Sequence, residues 1–251
     1  MKAKPPANKQ KASKADAKPK VNKVEVTRSV TDSAKEYKGW LEKIKKQTEY
    51  QMLKKEEKSL KEIGKEGVNG IELYIGESFN EMNTYLRLKA VGMSEAEAVR
   101  KSQIGSSQLK AVKDMVNGLN KTKFDEDLIL RRGSDLGELA ALMAGDFDNN
   151  LDSISGKTAE ELDKTFSGVV GSIGGFTSTS SLWDSGFDSD VEVVYYAPAG
   201  THASSIMSIS DYGADEAETI LNAGTKVKVL RVEKSDGHMD SKIRIYMQIL
   251  V

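Results

Sequence analysis

Two carboxylates, Glu216 and Glu218, stand two residues apart in Tyr212-Gly-Ala-Asp-Glu216-Ala-Glu218-Thr-Ile-Leu-Asn-Ala-Gly224. On an extended chain, side chains two apart share a face, so the pair would project together. Close carboxylates raise each other's pKa, which suits one to take a proton while the other stays charged. Two further stretches carry polar chemistry. Arg131-Arg132-Gly133 follows the apolar run Leu128-Ile-Leu130, and Gly175-Phe-Thr-Ser178-Thr179-Ser180 presents three consecutive hydroxyls. Each piece has an ordinary reading alone: solvated acids in a loop, a surface arginine pair, and hydroxyls with β propensity and local hydrogen bonding.

Composition removes several other chemistries. The chain has 251 residues, enough for one large domain or two small ones. It has no cysteine, hence no disulfide, thiolate zinc site or cysteine nucleophile. Its two histidines, His202 and His238, lack metal-ligand spacing, and no metal is expected. There is no Gly-x-Ser-x-Gly elbow and no phosphate-binding Gly-Lys loop. A net charge of −1 argues against a globally basic nucleic-acid binder. No apolar run approaches the roughly 18 residues of a membrane span, and the N-terminus has no apolar segment of the signal-peptide kind. The expected location is cytosolic, or reached by a route needing no cleavable signal.

The elements that must position these residues read as a helical part followed by a β part. Residues 1–28 are rich in Lys, Ala and Pro with almost nothing to bury, which predicts a disordered arm. That arm reads either as an attractor of nucleic acid or an acidic partner, or as a solubilising tail. A single domain is expected over 32–251, helical over 32–124 and β-rich over 125–251. Ser33 with Glu36 and Ser94 with Glu97 fit capping boxes. Tyr37, Trp40, Leu41 and Ile44 follow at helical spacing. Helix fades near Gly64 and Gly67, an apolar stretch runs from Ile71 to Ile75, and further helices are predicted over 78–89 and up to about Gly118. Beyond Phe124, Leu136–Met143 and a helix capped by Thr158 and Glu161 alternate with strand-like runs over 127–133, 175–180, 191–196, 203–209, 225–232 and 243–251. Asp236-Gly237 is a hairpin signal between the last two. The expected fold is α+β, with N-terminal helices packed on a mixed, mostly antiparallel β-sandwich.

In this order, each on a predicted strand, arginine, Ser-Thr-Ser and Glu-x-Glu resemble the mono-ADP-ribosyltransferases, in particular the C3-like exoenzymes and the catalytic domains of binary actin-modifying toxins. Asn83-Thr-Tyr85-Leu-Arg87 stands where those enzymes carry an Asn-x-Tyr-Leu-Arg helix. The order of elements matches from residue 60 to the C-terminus. The resemblance implies NAD⁺ as co-substrate, cleaved through an oxocarbenium-like state that a fixed carboxylate would steady. By the same resemblance Glu218 binds the ribose 2′-hydroxyl, Ser178 orients that glutamate, and Thr179 and Ser180 hold the strand edge and nicotinamide-side wall. Arg132 would support the pyrophosphate with its planar donors. Gly133 would let the backbone approach the nicotinamide amide, and Asn83 and Arg87 would contact the nucleotide. Arg131 stands where family members usually place an aromatic, which leaves it as a second phosphate or substrate contact.

Glu216, where relatives with other acceptors carry Gln, implies transfer to arginine, because a carboxylate base relieves a guanidinium of a proton better than an amide does. Two features depart from the pattern. The exposed aromatic of the acceptor loop, Tyr212, is one residue out of place. The loop after Ser-Thr-Ser keeps Trp183 and Phe187 for stacking on nicotinamide but carries acids where relatives often have a base. The expected acceptor is a protein arginine; RNA or DNA, or a non-catalytic module retaining the fold, stand as the alternatives.

Overall fold

The computed structural model describes residues 49–143, 147–182, 189–211, 213–235 and 242–251. The Lys-rich arm, the helix expected after Ser33 with Trp40, Trp183, Phe187, Tyr212, the Asp236-Gly237 turn and His238 lie outside them.

Helices α1 (Glu49–Ile63), α2 (Lys65–Leu73), α3 (Phe79–Ala90), α4 (Glu95–Ser102) and α5 (Ser106–Leu119) come first. Ser94 caps α4 by accepting from Glu97 N, as its sequence signature predicts. The expected fade near Gly67 is not a break, since α2 runs through it. These glycines are contact points: a Cβ on Gly70 would lie 2.7 Å from Met115 Cγ and 3.0 Å from the Ala111 carbonyl, so its absence lets α2 lie directly on α5. Between α2 and α3 the apolar stretch continues as a π-helical turn, Tyr74–Ser78, a form that concentrates at functional sites.

The β part comprises β1 (Leu128–Ser134), short α6 (Gly137–Ala140), α7 (Phe147–Ile154), α8 (Ala159–Phe166), β2 (Val170–Ser172), β3 (Thr177–Ser180), β4 (Val191–Ala197), β5 (Ala203–Ser205), α9 (Gly213–Glu216), β6 (Glu218–Leu221), β7 (Lys226–Lys234) and β8 (Ile243–Leu250). Thr158 and Glu161 form the full capping box at α8. The strands share one sheet ordered β2-β7-β8-β4-β1-β3-β6-β5. Among the described residues only β4 and β8 pair in parallel, so the α+β class and the mostly antiparallel sheet are as expected.

The sheet has a narrow waist. β1 and β4 share seven register pairs, whereas β1 meets β3 through Arg131 opposite Ser180. On one side of this waist, β1, β4, β7 and β8 bury Leu130, Val193, Tyr195, Val229 and Ile245 against Leu139, Ile154, Leu162 and Phe166 of α6–α8. On the other, Phe176, Ile206 and Ile220 close a second core with Ile71, Met82, Val112 and Met115 from the helical part. Two cores meeting at one narrow junction leave a seam, and the hydroxyl strand β3 lies at it, between β1 and β6. No helix among the described residues is long and apolar enough to cross a membrane.

Candidate active site

Along β1, side chains alternate between faces. Leu128 and Leu130 enter the core under α6–α8, while Ile129 joins Val194 and Tyr246 on the reverse face. The alternation places Arg131 and Arg132 on opposite faces. Arg131 is fully buried on the reverse face, with Nε 3.1 Å from Glu192 Oε1, and Arg244 Nε lies 2.7 Å from Glu192 Oε2. Arg132 is half-buried on the seam side. Its Nε is 3.6 Å from Glu138 Oε1, an ion pair too long for a hydrogen bond. The Glu138 carboxylate is itself held, accepting from Ser134 Oγ at 3.1 Å and from Tyr195 OH at 3.2 Å. Burial opposes the Arg132 charge, but Glu138, with Tyr195, Tyr74 and Asp135, keeps its pKa above the ordinary arginine value. Gly133, next along β1, is half-buried and pairs with Glu192 of β4.

The hydroxyl strand β3 is fixed at its start by α3. Asn83 Oδ1 accepts from Phe176 N at 2.8 Å, while its Nδ2 donates to Phe176 O at 3.2 Å and to Tyr74 OH at 3.0 Å. A Cβ on Gly175 would lie 2.5 Å from Asn83 Oδ1, so glycine is what permits this approach. Asn83 is thus buried and committed to the fold, locking β3 to α3. Arg87, one turn further along α3, is exposed, and its positive charge draws down the pKa of both Tyr74 and Tyr195 against the burial that raises them. Arg87, Arg132, Tyr74 and Tyr195 therefore share one electrostatic neighbourhood.

The three hydroxyls serve different ends. Thr179 faces away and donates to Thr219 O at 2.8 Å, tying β3 to β6. Ser178 pairs in register with Ile220, and its hydroxyl works to lower the Tyr74 pKa against the burial that raises it. Ser180 lies opposite Glu218, and its Oγ donates to Glu216 O at 2.6 Å.

The acidic pair departs from the extended geometry expected of it. Glu216 ends α9, Ala217 adopts φ 42° and is buried, and Glu218 opens β6. A left-handed alanine costs about 1–2 kcal/mol. The bend is held by Ser180, as above, and by Ser181, whose N and Oγ both donate to Ala217 O, at 3.3 and 3.2 Å. The two-residue alternation therefore fails here, because tertiary hydrogen bonds impose a helix end and a turn. The carboxylates still feel each other: burial first, then the Glu218 charge, raises the Glu216 pKa. Ser210 Oγ donates to Glu218 Oε2 at 2.6 Å, so the hydroxyl found on this carboxylate is Ser210, where the sequence pattern points to Ser178.

Arg132 and Arg87 thus share one neighbourhood with Tyr74 and Ser178, with Gly133 next along β1, and Ser180 ties β3 to Glu216 and Glu218. Asn83 and Thr179 act as braces, and Arg131 stands on the opposite face of β1 from Arg132. Tyr74, Glu138, Tyr195 and Ser210 escaped sequence reasoning. Tyr74 lay in what read as a plain apolar stretch, and Ser210 reaches Glu218 only through a turn that no local signal marks.

Comparison with known proteins converges on one group. The family model described as ADP-ribosyltransferase exoenzyme matches residues 34–249. Among solved structures, Plx2a, an ADP-ribosyltransferase toxin from Paenibacillus larvae, aligns with a TM-score of 0.58 at 20% identity, over 87% of this chain and 97% of that one. C3stau2 from S. aureus with NAD gives 0.59 at 18% identity, over 81% and 96%. The enzymatic component C2-I of the C2-toxin from Clostridium botulinum gives 0.54 at 15% identity, over 82% of this chain and 48% of that one. At these identities the structural matches speak for the fold. No curated protein matches the chain in sequence.

Proposed function

The chain belongs to the ADP-ribosyltransferase exoenzyme family and is an NAD-dependent ADP-ribosyltransferase; from that premise we propose that it cleaves NAD⁺ in the seam between its two cores and passes ADP-ribose to an arginine of a protein. Glu218 is the carboxylate that faces the ribose. As the bond between C1′ and the nicotinamide nitrogen breaks, its electron pair leaves with nicotinamide and the sugar becomes cationic. A fixed anion beside that sugar stabilises the developing charge, an effect worth about 10²–10³ in rate for one well-placed group. Ser210 holds the carboxylate in one orientation.

Arg132 is the phosphate-binding arginine in this reading. Its Nε is buried and has no hydrogen-bond acceptor among the described residues, and a pyrophosphate oxygen would supply one. Arg87 adds positive charge at the same place, and Gly133 keeps the adjoining wall low. Asn83 and Tyr74 hold the floor, with Ser178 beside Tyr74. Arg131 is assigned to the fold.

The observation that carries the choice of acceptor is the raised pKa of Glu216 beside Glu218. An arginine must lose a proton as it attacks C1′, and a carboxylate with a raised pKa is the better base. The test is labelling of a cell lysate with ³²P-NAD⁺, followed by protease, nuclease and neutral hydroxylamine. Label that is protease-sensitive, nuclease-resistant and released by hydroxylamine is expected. Label lost to nuclease would instead favour a nucleic-acid acceptor, to which the Lys-rich arm would lend charge. Glu216→Gln should retain NAD⁺ hydrolysis and lose transfer; equal loss of both would contradict the division of labour.

A further inference from the structure

We propose that Glu56, on α1, is a positioning residue for Glu218, acting through the turn Ile206–Ser210; the inference rests on the catalytic role given to Glu218 above. Glu56 is 2% exposed. Burying a carboxylate is costly unless its oxygens are satisfied, and here three donors converge on it. Ser205 Oγ donates to Oε2 at 2.6 Å, Met207 N donates to the same oxygen at 2.9 Å, and Ser208 N donates to Oε1 at 2.7 Å. One side chain of α1 thus clamps the backbone where β5 ends and the turn begins.

The turn grips Glu218 at both of its ends. Ile206 N donates to the Glu218 carbonyl at 2.9 Å, and Ser210 Oγ donates to its carboxylate at 2.6 Å. The turn is rigid between these points, because Ile209 N and Ser210 N both donate to Ile206 O, at 3.1 and 2.9 Å. A shift at Met207 is therefore passed to Ser210 and to the carboxylate it orients. On the α1 side, Glu56, Ser205, Met207 and Thr219 border a cavity of about 210 Å³. Packing there cannot replace the clamp. Glu56 touches no reacting atom in this arrangement; it sets where the carboxylate that does so can point, and misplacement by about 1 Å is enough to cost as much as 10²-fold in rate.

Glu56→Gln keeps the size of the side chain while turning an amide NH₂ toward backbone donors. In the full chain it is expected to lower kcat for NAD⁺ hydrolysis about tenfold and to leave KM for NAD⁺ within about twofold. Ser210→Ala should lower kcat as well. The double variant should be no more than about twofold worse than Ser210→Ala, because both changes release the same carboxylate. Hydrogen exchange supplies an independent reading, with the Met207 and Ser208 amides losing protection in Glu56→Gln while the α5 amides keep theirs. A Glu56→Gln kcat within twofold of wild type, losses that multiply in the double variant, or unchanged protection at the two amides would overturn this assignment alone. Absence of hydrolysis by the wild-type protein would overturn it together with the catalytic role of Glu218.

Discussion

Arg131 and Arg132 are consecutive on one strand, carry the same side chain, and belong to different regions of the molecule. On the reverse face Arg131 joins Glu192 and Arg244 in a network with exposures of 0%, 1% and 5%, where both guanidinium groups share one carboxylate. On the seam side Arg132 is half-buried and keeps a loose 3.6 Å partner in Glu138. The difference teaches what separates a charge that serves the fold from one available to a ligand: Arg131 is fully buried against a carboxylate 3.1 Å away, whereas Arg132 keeps partial exposure beside one 3.6 Å away. Asn83 and Arg87 repeat the contrast one helical turn apart, the first bound to the backbone of Phe176 and the second exposed at the seam.

The contrast can be broken from either side. Removing the shared anion on the reverse face by Glu192→Gln should cost about 3–5 kcal/mol, because two buried guanidinium groups lose their counter-charge. That corresponds to a fall of roughly 10 °C in melting temperature, read by thermal denaturation, with kcat of the folded protein unchanged. An undiminished melting temperature would show that the reverse-face charges do not stabilise the fold. Arg132→Lys keeps the charge but loses the planar fork. It should raise KM for NAD⁺ about tenfold while leaving the melting temperature within roughly 2 °C. A large stability loss with unchanged KM would reverse the assignments of the two arginines.

The smallest effect concerns the acids. With the Glu216 pKa raised by burial and by Glu218, the acid limb of transfer to arginine should lie above the ordinary glutamate value of 4.5, and Glu216→Gln should remove that limb from the hydrolysis profile if it appears there. The sign for stability is opposite. A carboxyl whose pKa is raised by folding favours the folded state most at acid pH, and that contribution is lost as pH rises through the raised value.

Much of this was readable beforehand where one local signal sufficed. The capping box of Thr158 and Glu161 and the presence of strands at β7 and β8 follow from single-element physics, although a register shift between Val229 and Arg231 interrupts the alternation expected of β7. The pairing of arginine, hydroxyl strand and acids on neighbouring strands was also legible, because each sits at a strand. Phase was not. Whether Arg131 or Arg132 faces the seam depends on which face of β1 each core covers, and both arginines are locally alike. The Glu-x-Glu bend was hidden for a related reason: Ala217 has no intrinsic preference for φ above zero, and the serines that impose it are 36 residues away in sequence. Gly67 read as helix-weakening because local propensity penalises it, while a Cβ there would lie 3.3 Å from the Asp114 carbonyl of a distant helix.

The central claim, that Glu218 steadies the ribose cation from the seam, is tested most directly by nicotinamide release from NAD⁺ with purified protein, comparing the wild type with Glu218→Gln. The account predicts steady release by the wild type and a loss of about 10³-fold in kcat in the variant, with NAD⁺ still bound. Release by Glu218→Gln at the wild-type rate would contradict it.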